Sequence, residues 1–597
     1  MTDNSILEPV KLYNNEFKDK FNDNCEKFFD DLVKKSGIDI NENRDLVKKY
    51  RKQEAVVKTL KTKSNHMKVA KISLIILVIV GIISAIYLVT QTKENLTRII
   101  IPIIIAVVCA LLIFGIFKLR KVLKNLNAEL DNESKTLKTC LDKCWASMGP
   151  LNQFYDWSIP SDLMEMTTPL IDLDHYFDTN KFEYLHEKYG FKDSEDPNSS
   201  TNYVLSGNIN GNPFVLVNSY NTELRDKTYT GSITIHWTTI EHTKDGSRTV
   251  SHTEVLTASI ERPAPVYFYD TRLVFGNDAA PNLQFSRFPT LKDSNASDQK
   301  IDKMVRHGEK KLAKKSQSAV SKGQQFNAMA NSKFEVLFNA LNRTNEVEYR
   351  LMFTPLAQNN MVDIIRNDPY GDDFAFYKDK CLNYILSAHS QKQDYRVDPK
   401  CFEDFDYDAA KAKFKDINAN FFKGLYFDLA PLLAIPIYQQ TKTHEYIYKI
   451  PYEAYNTRYE QETLVNKMDR TAFLNPQSKT DGILKCSLDH KDDDTDYIKV
   501  TAHSYRTEPR VTYETKLGGD GKMHSIPIHW EEFFEITKDT DVAMSKVDTT
   551  RQKFNNSNEL INKLASEKKL VYERGLLSYI ITSQIAGMKD IKDKINK

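Results

Sequence analysis

The chain lacks the residue patterns that would name a chemistry. Its seven cysteines, Cys25, Cys109, Cys140, Cys144, Cys381, Cys401 and Cys486, are scattered and odd in number, with one inside a long apolar run. That excludes a disulfide framework and suits a reducing compartment. Cys140 and Cys144 lie one helical turn apart, but no second ligand pair is near them, so they read as packing positions. Neither sign of charge prevails: 82 basic against 81 acidic residues leave a formal charge of +1. Global attraction to nucleic acid is thereby excluded. No Gly-x-Ser-x-Gly elbow occurs. "LGGDGKM" places Lys516 and Met523 where a phosphate-binding loop requires Gly and Ser or Thr, so it reads as a turn.

Metal signatures are missing as well. The aspartates of "DHKDDDTDY", Asp489 to Tyr497, lack the spacing and central glycine of a calcium loop and read as a solvated strand connector. His524 and His529 are five apart in an expected strand, beside Glu531 and Glu532, and do not form the one-turn pair of a zinc protease. No cofactor and no catalytic residue is identified. A cleavable signal peptide is excluded by the position of the first apolar run and by the absence of a small-residue cleavage pattern.

What the sequence does contain is two uncharged apolar runs, Ile72 to Thr90 and Ile99 to Phe117, each 19 residues long. At about 1.5 Å per residue each is long enough to cross a hydrocarbon core of about 30 Å. The short polar connector "QTKENLTR" makes them antiparallel neighbours, a transmembrane hairpin. Lys48, Lys49, Arg51, Lys52, Lys58, Lys61, Lys63, Lys68 and Lys71 precede the first run, and Lys118, Arg120, Lys121 and Lys124 follow the second. The connector holds only Lys93 and Arg98. By the retention of cations on the cytoplasmic side, both termini are expected in the cytoplasm and the protein is a multi-pass protein of the cell membrane.

Around the hairpin, Phe17, Phe21, Phe28, Phe29 and Leu32 form an amphipathic helix ending at Gly37, whose acidic residues favour packing against protein over lying on an anionic bilayer. Leu119, Leu123, Leu126, Leu130, Leu137, Leu141 and Cys144, matched by Leu46, Val57 and Leu60, predict an antiparallel helical stalk that stops at Met148 to Pro150. Beyond Asn202 the period becomes two. Hairpins are expected at Asn210–Gly211, at Asp245–Gly246, near Asp379 and across "LGGDGKM". In the second of these, Ile233, Ile235 and Trp237 share a face with Leu256 and Ala258, while Thr234, His236, Thr238, Thr253 and Thr257 fill the other. His236 and His242 then oppose His252, so the three imidazoles cannot share one metal.

Residues 297–326 carry Lys and Arg in excess over Asp298, Asp302 and Glu309, with Ile301, Met304, Val305 and Leu312 as a thin apolar stripe. The stretch reads first as a solvated insertion or partner helix and second as a helix lying on anionic lipid. No interleaved aromatic offers base stacking, so nucleic acid is disfavoured. Residues expected to be able to touch anionic lipid are Lys61, Lys63, Lys68, Lys118, Arg120 and Lys121 beside the spans, and Lys303, Arg306, Lys310, Lys311, Lys314 and Lys315 in this insertion. Thr354–Pro355 is a helix start. "NANFFKGLYFDLAPLLAIPIY", Asn418 to Tyr438, is interrupted by Lys423, Asp428, Pro431 and Pro436 and reads as a buried helix and turn, not a third span. Leu560, Ile561, Leu564, Leu570, Val571, Leu576 and Leu577 suggest C-terminal helices.

Together, the two-run hairpin, "YVLSGNINGNPFVLV", "FEVLFNALNRTNEVEYRLMFTPL" and "DFAFYKDKCLNYILSA" are similar to an uncharacterised family of bacterial two-pass membrane proteins, a domain of unknown function with a cytoplasmic α+β module. The resemblance covers about Lys48 to Ala388 and implies fold and location, with no catalytic residues to transfer. Lys- and Asn-rich, Arg-poor usage also fits a low-GC bacterium. The expected architecture is an α+β membrane protein: N-terminal helices and stalk (1–70), transmembrane hairpin (71–118), second stalk helix (119–149), an antiparallel-sheet α+β domain with the basic insertion (150–450), and a second β-rich domain (451–597). The expected function is that of a membrane-anchored cytoplasmic scaffold whose partners are the bilayer and a protein or second copy. The alternatives are a membrane-tethered enzyme with a site assembled from distant residues, or an accessory subunit of a transport complex.

Overall fold

A computed structural model describes residues 5–91, 97–175, 177–192, 196–243, 246–291, 297–322, 326, 328–443, 457–492, 495–546, 566–573 and 576–581. They divide into two compact units, one of residues 22–156 and 398–419, the other of residues 1–21, 157–397 and 420–597. The expected connector lysine Lys93, the turn residue Asp245, and Leu560, Ile561 and Leu564 lie outside the described residues.

Helix α1 (Pro9–Leu12) runs through a π turn at Tyr13–Phe17 into α2 (Lys18–Ser36), closed by Gly37 in the left-handed region. The helical unit is dominated by α3 (Ile40–Gln91) and α4 (Thr97–Asn152), which pair along their length. Its seam follows a strict alternation of three and four. On α3 the covered positions are Asn43, Leu46, Tyr50, Gln53, Val57, Leu60, Ser64, Met67, Lys71, Leu74, Val78 and Gly81. On α4 the same spacing leads from Ile105 through Cys109, Leu112, Ile116, Leu119, Leu123, Leu126, Leu130, Glu133, Leu137, Cys140, Cys144 and Ser147 to Leu151. A 3.5-residue repeat held this long is the pattern of a left-handed coiled coil. Apolar runs and stalk thus share one uninterrupted interface.

Two polar residues of the α3 seam are paired across it. Gln53 donates to the Glu133 carboxylate, and Ser64 donates to Asn127 Oδ1 at 2.8 Å. At Gly81 the helices close so tightly that a Cβ would lie 2.7 Å from Cys109 Sγ. Helix α4 does not stop at Met148 to Pro150: it continues to Asn152, because a proline in the last turn removes only one hydrogen bond from a ladder that is about to end. Beyond it Phe405 sits between the rings of Tyr50 and Trp145, and Asn43 spans from Ser147 Oγ to the backbone of Phe405 and Tyr407. Within the same unit the aromatic face of α2 is covered, Phe29 lying against Tyr407 and Phe414.

The other unit holds the helices α5 (Ile159–Thr167), α6 (Thr179–Tyr189), α7 (Asp298–Ser321), α8 (Ser332–Phe338), α9 (Glu346–Met352), α10 (Pro355–Asn367), the C-terminal half of α11 (Tyr407–Leu433) and α12 (Arg458–Val465). Thr354 caps α10 as expected, with Pro355 in its first turn. The stretch 425–435 of α11 and its exit is almost wholly buried, as the interrupted apolar segment required.

Two antiparallel sheets complete this unit. The first contains β1 (Ile171–Leu173), β2 (Ser199–Ile209), β3 (Asn212–Thr243), β4 (Gly246–Gly276), β5 (Gln284–Arg287), β6 (Phe374–Asp379) and β7 (Leu382–Ser387), in the order β1-β2-β3-β4-β7-β6-β5. The second contains β8 (Ile483–Asp492), β9 (Thr495–Leu517), β10 (Met523–Lys546), β11 (Leu570–Glu573) and β12 (Leu576–Ile580), in the order β11-β12-β10-β9-β8. The β2–β3 turn is Asn210–Gly211, both at positive φ. A Cβ on Gly211 would lie 1.8 Å from the Lys442 carbonyl, so only glycine fits there. Thr243 pairs with Gly246, two positions from the pairing that a two-residue turn at Asp245–Gly246 would set. Because that step is even, Ile233 opposes Leu256 in place of Ala258 and every side chain keeps its expected face. Leu570–Glu573 and Leu576–Ile580 form strands, not the expected helix. Leu577 and Tyr579 are buried together with Ser578 and Ile580, and an apolar run covered on both faces does not reveal its period.

Strands β3 and β4 continue past the body of their sheet as a two-stranded ribbon from about Thr222 to Thr243, about 70 Å at about 3.3 Å per residue. Strands β9 and β10 do the same on a shorter scale. A lone ribbon is marginal in water, but these two lie face to face. Ile235, Leu256, Ala258, Ile526 and Ile528 form a shared core, bordered by Tyr229, Ile233, Trp237 and Ile260. The tip of the shorter ribbon seats on the longer one through Gly519 N–H donating to Glu254 Oε2 at 2.7 Å. Gly231 permits this approach, since a Cβ there would stand 2.2 Å from the Pro527 carbonyl. Gly231→Val is expected to part the ribbons at a cost of about 1–3 kcal/mol. Limited proteolysis should then cut within 505–536 several-fold faster, whereas Thr230→Val, on the outer face, should leave the digestion pattern unchanged.

Candidate functional site

Three features of the structure concentrate chemistry: the lysines beside the apolar runs, a buried ionisable cluster, and the outer surfaces of the two ribbons. The first belongs to the helical unit. Seam contacts Ser64–Asn127 and Val78–Cys109 bracket Lys68 on α3 and Lys118, Arg120 and Lys121 on α4 at one level. All four are exposed, and Lys61 and Lys63 lie exposed one to two turns further along α3. They form a basic collar where the outward face changes from charged to apolar. Lys303, Arg306, Lys310, Lys311, Lys314 and Lys315 are exposed on α7 of the other unit.

The buried cluster was not legible as a site. His389 and Ser390 follow β7, Asp373 precedes β6, Asp368 and Tyr370 follow α10, and Gly424 and Asp428 lie on α11. His389 Nδ1 is 2.8 Å from Asp373 Oδ2, and Nε2 is 3.1 Å from the Gly424 carbonyl and 3.4 Å from Asp428 Oδ1. Both ring nitrogens therefore face acceptors only, which the doubly protonated imidazolium alone satisfies. Burial works against that charge, but the Asp373 hydrogen bond and the Asp428 and Asp373 carboxylates prevail and lift the His389 pKa to about 9. Tyr370 stacks on the imidazole at 4.0 Å, and Lys423 lies 4.6 Å above the Tyr370 ring.

Asp428 is buried and accepts from Ser390 Oγ and, at 2.6 Å, from the Tyr395 hydroxyl. Burial raises its pKa against the lowering effect of His389. Asp368 accepts from the Tyr370 amide at 2.7 Å, yet burial, reinforced by Asp373 and Asp428, pushes its pKa up to about 8. The Ser390 hydroxyl donates to a carboxylate and not to the imidazole, and the imidazolium has no lone pair to act as base. The constellation is thus no nucleophile–base relay. It is an ionic cross-brace between α11 and the ends of β6 and β7. The sequence offered one signal, Asp428 inside an apolar helix, which demands a buried partner.

The remaining motifs lie on the strands and their turns, Asp493 and Asp494 of the aspartate run being outside the described residues. Lys516 and Met523 flank a turn closed by Gly518 N–H to Lys522 O and Gly521 N–H to Gly518 O. His524 points inward to Asp520, while His529 belongs to the outer face. His252 stacks on Trp237, on the face opposite His236 and His242. Among the described residues no three His, Cys, Asp or Glu side chains converge as a metal site requires.

The two ribbons present contrasting outer faces. That of β3–β4 carries Thr228, Thr230, Ser232, Thr234, His236 and Thr238 opposite Ser259, Thr257, Thr253 and Ser251, with Val255 among them. That of β9–β10 carries Val511, Tyr513, Thr515 and Leu517 opposite His529, Pro527, Ser525 and Met523, eight positions without an acid, a lysine or an arginine. Tyr513, Leu517 and Met523 are each more than 60% exposed, and Val511 is exposed too. At the root of the ribbons lies an open cleft of about 910 Å³ lined by Arg225, Asp226, Lys227, Tyr267, Glu531 and Phe533 among others.

Compared with protein-family models, with curated proteins and with solved structures, the chain finds no match. The cluster yields a prediction. A histidine whose folded pKa exceeds its unfolded value of about 6.5 stabilises fully below that value and loses its contribution as pH rises through about 9. A carboxyl held at about 8 does the opposite of an ordinary ion-paired aspartate: its cost to the fold grows as pH rises from about 4 to about 8. Asp368→Asn keeps the acceptor for the Tyr370 amide and removes the charge, so it should stabilise by roughly 2 kcal/mol at pH 8 and by nothing at pH 4. Thermal melts in mild detergent at the two pH values check this.

Proposed function

We propose that the chain is a membrane-anchored scaffold that holds a protein partner on the apolar outer face of its β9–β10 ribbon. The observation that carries this reading is the position of the apolar side chains. α3 and α4 are long and apolar enough to cross a membrane, and the apolar windows within them are only 6% buried. Ile72, Ile76, Leu77, Ile79, Val80, Ile83 and Ile86 on one helix, and Ile103, Ile104, Val107, Leu111, Phe114 and Phe117 on the other, point away from the seam. Core helices of soluble proteins turn such residues inward. Each Ile, Leu, Val or Phe near the centre of a span favours insertion by roughly 0.3–0.6 kcal/mol, and more than a dozen outward positions sum to a driving force that no partner among the described residues offsets.

The basic collar sets the orientation, with both termini on the cytoplasmic side. The resemblance to the bacterial two-pass family belongs to the same reading, supported by the Asn210–Gly211 turn and the Thr354 cap in the segments that carry it. For the partner, support comes from the uncharged strip of Val511, Tyr513, Leu517 and Met523, an exposed apolar surface interrupted by the Thr515–Ser525 pair, of the kind that marks protein interaction sites. The ionisable cluster favours no enzymatic reading, since its groups are spent on one another.

Two measurements test the proposal. The native chain should sediment with membranes, resist alkaline carbonate and enter solution only with detergent; a folded chain that stays in the supernatant without detergent would refute the anchor. Affinity capture in mild detergent should then retrieve a stoichiometric protein, and Tyr513→Asp with Leu517→Asp should lower its recovery about tenfold or more, since central aromatic anchors carry most of an interface's energy. Unchanged recovery would remove the strip from the interface.

A further inference from the structure

Helix α7 segregates its side chains into three sectors. Set at about 100° per residue, Ile301, Val305, Gly308, Leu312 and Ala319 fall together, Asp298, Asp302 and Glu309 fall beside them, and Lys300, Lys303, Arg306, His307, Lys310, Lys311 and Lys314 occupy the remaining half of the circumference. The apolar sector is consumed. Ile301, Val305 and Ala319 are buried, and Gly308 meets α8 so closely that a Cβ would lie 2.5 Å from Val336. The acidic sector is turned to neighbours, with Asp298 pairing with Arg366 and Glu309 accepting from Ser332. Lys315, at the edge of the arc, lies 4.1 Å over the Phe326 ring.

What remains is a face of like charge. Lys303, Arg306, Lys310, Lys311 and Lys314 are exposed, and none has an ion-pair partner among the described residues. Five cations along about three turns of one helix repel one another, so nothing in the fold itself favours their alignment. A helix that merely needed a solvated face would interleave acids with them, and this chain has as many acids as bases to draw on.

We infer that this basic arc of α7 is a docking face for an anionic phospholipid surface. Charge complementarity demands a polyanion. Four of the five free cations are lysines, point charges suited to a fluid array of headgroup phosphates and not to the bidentate reading of base edges that arginine performs. No aromatic side chain lies on the arc to stack a base. The inference rests on the anchored reading, because a chain tied to the bilayer by α3 and α4 brings α7 to the surface at high effective concentration. Contact of this kind is additive over the lysines, screened by salt and indifferent to headgroup identity beyond its charge.

The experiment uses the full chain in lipid nanodiscs of two compositions, phosphatidylcholine alone and phosphatidylcholine with about 30% phosphatidylglycerol. Amine-reactive labelling, read lysine by lysine by mass spectrometry, should be about fivefold slower at Lys303, Lys310, Lys311 and Lys314 in the anionic discs, and the difference should vanish near 0.5 M salt, where the screening length falls to a few ångströms. Lys499, exposed on β9, should label equally in both. Equal labelling at the α7 lysines overturns the inference, and so does stronger protection of the same residues by duplex RNA or DNA than by anionic discs. The variant Lys303→Gln, Lys310→Gln, Lys311→Gln, Lys314→Gln should abolish any lipid-dependent change in hydrogen exchange over 298–321; a change that persists also counts against it. Failure of the chain to co-elute with either disc would refute the anchor instead. Labelling of the detergent-free protein on vesicles of the same two compositions would then decide the α7 face by itself.

Discussion

The paired helices α3 and α4 keep one side-chain repeat while the chemistry of their outer face changes. In the stalk, the seam buries Leu123 and Leu126 and the outward positions are charged; past Lys71 and Lys118 the same seam holds Leu74, Val78 and Gly81 while the outward positions become Ile, Leu, Val and Phe. Both helices are thereby long and apolar enough to cross a membrane. Seam geometry and outward chemistry are thus set by different residues of the same helices. Close approach at Gly81 and Cys109 tightens the seam within the apolar part.

A related trade governs the ribbons. Each is too thin to bury a face alone, so the two cover one another and leave two outer faces free. Their inner core is small, nine residues in all, and depends on Gly231 letting backbone meet the Pro527 carbonyl and on Gly519 letting backbone meet the Trp237 ring. The division of the outer faces into hydroxyl-rich and uncharged apolar surfaces follows from strict alternation: once Ile526 and Ile528 point inward, Pro527, Ser525 and Tyr513 must point out.

Buried charge in this protein is used for bracing. The Arg287–Asp372 pair is wholly buried, with the guanidinium also 3.9 Å over Phe374, and Asp372 accepts two further backbone amides from Thr290 and Leu291. The His389 network follows the same logic at larger scale, joining α11 to the strand ends. Removing a partner from either would strand a charge, which is where their contribution to specificity lies. Sequence reading missed both, since their members come from segments 16 to 85 residues apart and each residue alone is unremarkable.

The sequence by itself determined every feature whose cause is local. Turn chemistry at Asn210–Gly211, the threonine cap before Pro355, the face of each side chain on β3 and β4, the amphipathic α2 and the two apolar helices all follow from spacing that a few neighbouring residues specify. Alternation is robust even to error: the misplaced Asp245–Gly246 turn shifted the register by an even step and left each face intact. Only tertiary structure decided what depends on distant partners. It made strands of Leu570–Glu573 and Leu576–Ile580, because a segment covered on both sides carries no period. It stacked two ribbons face to face, and it gathered His389, Asp373 and Asp428 into one ionic brace. Burial there is supplied by the rest of the fold, and no local pattern encodes it.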